Sequence, residues 1–255
     1  MTEPITSPTN PRVKRVARLR DRRARDEAGA FVVEGERDVS RAFAAGLNCL
    51  DLFATDGRPD ATPVSESAMA KMSYRQSPTH LLGVFETPRR TLADVPQPGE
   101  HDLILVAVGT EKPGNLGAMA RTAAAAGCSA LIAAGSNVDV WNPNAIRNSG
   151  GAIFSLPTIP ATDDEALAWI ADMGLPTLAT IAEGGEDLWH ADVPTGPLAV
   201  VIGPEHAGLD ARWTEAATRR VTVPTHDADG AVDSLNASVT SAVVLFELDG
   251  RRRRT

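Results

Sequence analysis

Short apolar runs alternate with polar, cap-forming stretches along most of the chain, and their lengths alternate between strand and helix. Over the first part the pattern predicts a basic helix near 10–26 and a strand over Ala30–Glu34. It continues with a helix over Arg37–Ala45 closed by Gly46, a strand over Leu50–Thr55, a helix over Glu66–Met72 and a strand over Leu81–Glu86. Pro88, Pro96, Pro98 and Gly99 then fall in a stretch without apolar periodicity, so 88–100 reads as a linker. From Leu103 the rhythm becomes βα. Leu103–Val108 is a continuous apolar run of strand length, as a buried parallel strand requires. A helix follows with Leu116, Met119, Ala120 and Ala123 on one face, ended by Gly127, and Ala130–Ala134 is the next strand. Thr162–Glu165 is a capping box that opens a helix ending at Gly174. Strands at Thr177–Ile181 and Leu198–Ile202, a short helix at Asp210–Ala217 and a strand at Arg220–Val223 lead to the last helix. For that helix Ser234 is a suitable N-cap and Gly250 a stop, with Leu235, Val239, Val243 and Phe246 forming the stripe expected to face the core.

Strands alternating with helices imply an α/β fold whose parallel sheet is covered on both faces. The expected organisation is a small α/β domain over 1–87, a linker over 88–100 and a larger α/β domain over 101–255. No apolar run approaches the length of a membrane-spanning helix, and the polar start (Met1–Asn10) lacks a signal-peptide core. Cys49 and Cys128 are too few for a disulfide framework, so the expected location is cytoplasmic. Cys128, between Gly127 and a buried strand, reads as core rather than nucleophile. The five histidines show no metal-ligand spacing, and no metal is expected.

A net charge of −8 argues against a nucleic-acid partner until its distribution is considered. Arg12, Lys14, Arg15, Arg18, Arg20, Arg22, Arg23 and Arg25 crowd one segment, and Arg251–Arg254 form a basic tail. Clustered cations of this kind suit phosphate contact, although a solvated helix face carries the same pattern.

Gly109 and Gly114 are spaced as in a P-loop, but Asn115 and Leu116 stand where Lys and Ser or Thr must follow. No Gly-x-Gly-x-x-Gly follows any predicted strand. An ordinary nucleotide-binding α/β enzyme is therefore disfavoured. Three other segments join a loop to a helix: Asn115–Ala123 followed by Gly127, Val201–Leu209, and Val223-Pro224 followed after a loop by Ser234–Ser238. In this order they resemble the three motifs of the SpoU (TrmH) branch of the SPOUT superfamily, the RNA ribose 2'-O-methyltransferases. Asn10, Arg25, Phe31 and Glu34-Gly35 are similar to the family's substrate-binding domain, so the resemblance covers nearly the whole chain.

The resemblance implies a C-terminal trefoil knot in the larger domain, S-adenosylmethionine as cofactor, and a homodimer whose paired knotted domains complete each site. It places Asn115, Arg121, Ser234 and Asn236 at the catalytic centre. Ile202, Gly203, Val223, Leu235 and Asn236 would hold the cofactor against main-chain groups. Arg12, Lys14, Arg15 and Arg18, with Arg147 and Ser149, would meet RNA. Trp141 is open to base stacking or to packing, and Glu205 to pairing with Arg121 or to solvent. A guanidinium does not give up its proton, so Arg121 suits a phosphate clamp that stabilises the developing alkoxide rather than a base. The segment from Thr225 to Asp233 is longer and more acidic than the family's loop. The small N-terminal domain favours rRNA over tRNA as substrate. A non-catalytic ribosome-assembly factor of the same fold is the alternative outside enzymes.

Overall fold

Buried β-branched and leucine runs form the spine of each of two sheets. The computed structural model describes residues 4–135, 139–225 and 235–254. Its chain divides into two compact units, Met1–Arg89 with Trp141–Ser155, and Arg90–Val140 with Leu156–Thr255.

The first unit contains α1 (Pro11–Arg18), α2 (Arg22–Ala28), β1 (Ala30–Glu34), α3 (Glu36–Ala44), β2 (Cys49–Ala54), β3 (Thr62–Pro63), α4 (Glu66–Met72) and β4 (Leu81–Glu86). Its sheet has the order β1-β4-β2-β3, antiparallel except between β2 and β3. The single basic helix expected near 10–26 is broken into α1 and α2. Leu19 is buried, and the buried guanidinium of Arg25 donates to the carbonyls of Leu19 at 2.6 Å and Arg20 at 2.7 Å. A cation closing orphan carbonyls at a helix end makes Arg25 part of the turn rather than of a ligand surface. The segment after Trp141 also belongs here, as α6 (Pro143–Ser149) and α7 (Ala152–Ser155). Trp141 is buried and stacks on Phe31 with centroids 4.5 Å apart, which settles it as packing.

The second unit carries β5 (Leu103–Val108), α5 (Pro113–Ala125), β6 (Ala130–Ala134), β7 (Thr158–Ala161), α8 (Asp163–Asp172), β8 (Thr177–Thr180), β9 (Glu186–Asp187), β10 (Leu198–Ile202), α9 (Ala211–Ala216), β11 (Arg219–Thr222) and α10 (Ala237–Arg252). Its seven strands lie in the order β7-β6-β5-β10-β8-β11-β9, all parallel, as the βα rhythm predicts. Leu92 and Val95, from the segment read as a linker, pack against the core of this unit. The late strand β10 lies between β5 and β8, so the sheet reverses its winding beside β5. No helix among the described residues is long and apolar enough to cross a membrane.

The last helix differs from expectation in three ways. Ser234 lies outside the described residues, as does the acidic segment after Thr225, and the N-cap is Asn236, whose Oδ1 accepts from the Ser238 N–H. The helix runs through Gly250 to Arg252. Arg251 donates to the carbonyls of Ala191 and Leu188, and Arg252 to those of Gly196 and His101, so half of the basic tail anchors the helix. The buried stripe is Ala237, Ser241, Val244, Leu245 and Leu248, whereas Val239 and Phe246 are 47% and 50% exposed. This face packs on α5 and β10. The Ser241 hydroxyl meets the Ser238 carbonyl at 2.8 Å, so its burial leaves no polar group unsatisfied.

Candidate active site

The site grows from the carboxyl ends of β8, β10 and β11, next to the reversal of the sheet. Crevices at such points are where open α/β sheets bind ligands. Gly203 ends β10 where a Cβ would stand 2.9 Å from the Leu209 nitrogen and 3.0 Å from the Gly208 carbonyl carbon. Only glycine lets the 204–209 loop fold back this tightly. Gly208, at φ +66°, completes the turn, and its N–H meets the Pro204 carbonyl at 3.1 Å. The folded loop roofs a cleft of about 310 Å³ lined by Thr180–Ala182, Ile202–Gly208, Thr222, Val223, Thr225, Leu235, Ala237 and Thr240. Ile202, Gly203, Val223 and Leu235 are thus brought together as expected, and Thr180–Ala182 form a floor the sequence did not reveal. Apolar walls with main-chain donors and acceptors between them suit a flat heteroaromatic ring and its sugar.

Asn236 does not line this cleft. It turns to an adjoining one, lined by Thr110, Glu111, Lys112, Asn115, Pro204, Glu205, His206 and Ala237. Glu205 is the hub there. Its Oε1 accepts from Asn115 Nδ2 at 2.7 Å and from Asn236 Nδ2, and its Oε2 lies 3.2 Å from Lys112 Nζ. Asn115 is freed for this role because Lys112 is the N-cap of α5 and Pro113 its first residue, which leaves Asn115 inside the first turn. The amino ends of α5 and α10 therefore meet at one carboxylate, the charge those ends favour. Burial pushes the Glu205 carboxyl up, but the hydrogen bonds from Lys112 and Asn115, the charge of Lys112 and the Ala237 N–H outweigh it. The net shift is downward.

A carboxyl lowered by folding stabilises the protein above its ordinary value of 4.5, and that contribution is lost as pH falls from there through the lowered folded value. Glu205→Gln is therefore expected to lose less melting temperature than the unaltered protein between pH 5 and pH 3. The comparison is a pair of calorimetric pH series, and parallel slopes would remove Glu205 as the hub.

Arg121 lies six residues beyond Asn115 on α5, about 9 Å of helix rise. It is exposed and forms no ion pair with a described residue, so it does not join the Glu205 cluster. In the first unit, Arg12 and Arg15 converge on Asp51 at 2.7 and 2.5 Å, and the Arg12 guanidinium lies 5.2 Å from the Phe53 ring centroid. Lys14 and Arg18 are exposed and form no ion pair with a described residue. Arg147 is exposed and donates to Asn144 at 3.2 Å. Ser149, placed at an RNA face from the sequence, is 1% exposed. Its hydroxyl donates to the Ile146 carbonyl and accepts from the Gly151 N–H, which makes it a turn residue with no surface to offer. Burial pushes the Cys128 thiol up to about 12, so it holds its proton and is no nucleophile. Among the described residues no group of three or more His, Cys, Asp or Glu is arranged for a metal ion.

Lys112 and the hub role of Glu205 escaped sequence reading. A loop carboxylate shows no periodicity, and its three side-chain partners lie 31, 90 and 93 residues away.

Residues 102–246 match the SpoU rRNA Methylase family, and residues 10–83 match the MRM3-like substrate binding domain. The chain is 26% identical to the 23S rRNA (guanosine(2553)-2'-O)-methyltransferase RlmP of Bacillus subtilis, over 96% of this chain and 99% of that protein. A crystal structure described as an RNA 2'-O ribose methyltransferase superposes with TM-score 0.86 at 40% identity, covering 99% of this chain and 100% of that one. The AdoMet-bound rRNA methyltransferase of Sinorhizobium meliloti superposes with TM-score 0.89 at 28% identity, covering 98% of both chains.

Proposed function

The chain belongs to the SpoU rRNA Methylase family, and on that premise we infer that it transfers the methyl group of S-adenosylmethionine to a ribose 2'-hydroxyl of rRNA. The observation that carries this reading is the adjacency of two clefts that share Pro204, Glu205, His206 and Ala237. One has the apolar and main-chain lining an adenosyl group needs, with Ile202, Val223 and Leu235 as walls and Gly203 and its neighbours as main-chain partners. The other holds the motif asparagines on a shared carboxylate. The bound cofactor supplies an electrophilic sulfonium methyl.

The protein's own groups orient and stabilise. Glu205 is held anionic and fully engaged, so it fixes the amides of Asn115 and Asn236 rather than accepting a proton. Those amides orient the ribose. Arg121 clamps the phosphate beside it and stabilises charge developing on the attacking oxygen. Ser234 stands next to this cluster in sequence and is proposed to contact the same nucleotide.

The family's knotted domains pair, and two features support a homodimer here. Val239 and Phe246 leave an apolar stripe half exposed on α10. Arg121 lies outside its own chain's cluster, where a second copy would complete the arrangement. The knot itself is proposed, from the family resemblance, at the C-terminal end of the second unit. The protein is proposed to act in the cytoplasm.

The N-terminal unit is the proposed RNA grip, with Lys14 and Arg18 among its described cations without an ion pair and Arg12 and Arg15 partly committed to Asp51. Lys14→Ala with Arg18→Ala should lower the log–log salt slope of rRNA binding by about 0.7 to 0.9 for each lost phosphate contact. Arg12→Ala should act more on stability, because it uncovers Phe53 and leaves Asp51 a single partner. An unchanged slope in the double variant would reduce α1 to a solvated face. The function itself is tested by mapping new ribose methylations on unmodified rRNA incubated with the purified protein and S-adenosylmethionine. Transfer confined to tRNA, or to none, would overturn it.

A further inference from the structure

The proton of the attacking hydroxyl needs an acceptor, and the clefts narrow the choice. Four residues line both the cofactor cleft and the asparagine cleft: Pro204, Glu205, His206 and Ala237. Only Glu205 and His206 among them can take up a proton. Glu205 lies below its ordinary range, with both carboxylate oxygens already accepting from Lys112, Asn115 and Asn236. A weak, saturated base is a poor acceptor for a hydroxyl proton. His206 is exposed and makes no hydrogen bond or ion pair with a described residue. Imidazole is the side chain whose proton exchange lies near neutral pH. The charged groups that share its two clefts, among the described residues, are Glu111, Lys112 and Glu205.

Building on the methyl-transfer reading above, we propose that His206 is a catalytic residue, the general base of the reaction. The ribose oxygen forms its bond to the methyl carbon as the carbon–sulfur bond breaks and the electron pair returns to sulfur. The hydroxyl proton passes to an imidazole nitrogen of His206, which becomes imidazolium and then returns the proton to solvent. Glu205, one residue earlier, holds the nucleotide-facing amides while its neighbour takes the proton. The division of labour follows from one loop turn that presents two side chains with opposite tasks.

The test uses the whole chain, S-adenosylmethionine and an unmodified 23S rRNA transcript, comparing the unaltered protein with His206→Gln. The single-turnover rate of the unaltered protein should rise with pH on a limb set by its general base. His206→Gln should lose that limb and fall about 10²–10⁴-fold at the plateau. Its S-adenosylmethionine affinity by calorimetry should stay within a few-fold, since glutamine keeps a polar side chain at this exposed edge of the cleft. Free imidazole should restore part of the rate to His206→Ala. The imidazole NMR signal that is missing in His206→Gln should move when the transcript is added to protein loaded with S-adenosylhomocysteine. A variant that keeps the rate and the pH limb would overturn the proposal, and so would one slowed only through weaker cofactor binding. An unaltered protein that transfers no methyl group would overturn the underlying reading of function, and the role of His206 with it.

Discussion

Replacing Arg121 with alanine is expected to abolish methyl transfer, a fall of at least about 10²-fold, the scale of losing one charge-stabilising donor. S-adenosylmethionine affinity should hardly change. Arg121 lies on α5 outside the cofactor cleft, exposed and without an ion-pair partner among the described residues. Its charge is therefore not consumed in holding the fold, and melting temperature should be preserved. Arg121→Lys should remain severely impaired, because an ammonium cannot reproduce a planar, two-pronged grip on phosphate. Single-turnover transfer and calorimetric cofactor titration, run on the same preparations, separate the two effects. Wild-type activity in Arg121→Ala would remove the residue from the chemistry.

Leu235→Arg should eliminate S-adenosylmethionine binding by driving a guanidinium into the apolar wall of the cleft. Read from the sequence, this substitution threatened the fold as well, because Leu235 headed the stripe expected to face the core. The structure places it differently. Leu235 precedes α10, is half-buried, and lines the cleft rather than the core. The variant should thus stay folded in thermal unfolding, with the sedimentation of the unaltered protein, while failing to bind in calorimetry. Leu235→Ala, which shortens the wall without charging it, should weaken binding moderately. Full affinity in folded Leu235→Arg would relocate the cofactor.

Strand and helix positions were legible wherever periodicity was strong. Leu103–Val108, Ala130–Ala134 and Leu198–Ile202 occur as strands at the expected residues, and α4 and β4 likewise. The short strands β3, β9 and β7 were missed, because two to four residues are too few to show a period. The three motifs picked out Gly203, Val223 and Leu235, which follow strands or precede a helix and line one cleft. The network at Glu205 was not legible in the same way. Neither was the commitment of Arg25, Arg251 and Arg252 to main-chain carbonyls, which withdraws them from the charge available to RNA.

The last helix draws the boundary between the two kinds of information. Its residues are apolar enough on several sides that two stripes compete. Leu235, Val239, Val243 and Phe246 form one, and Ala237, Ser241, Val244, Leu245 and Leu248 the other. Local periodicity fixes that a helix forms, because each residue's neighbours three and four positions away are set by covalent geometry. Which stripe is buried depends on the surface it meets, and that surface is α5 and β10. With Ala237 and Ser241 buried, Val239 and Phe246 are left exposed. The same turn of the helix carries Asn236 to Glu205, where it meets Asn115 from 121 residues earlier. Order along the chain supplied the elements and the motif residues. Contact between distant segments chose the faces and built the hub, because burial and hydrogen bonding depend on distances in space that no spacing along the chain encodes.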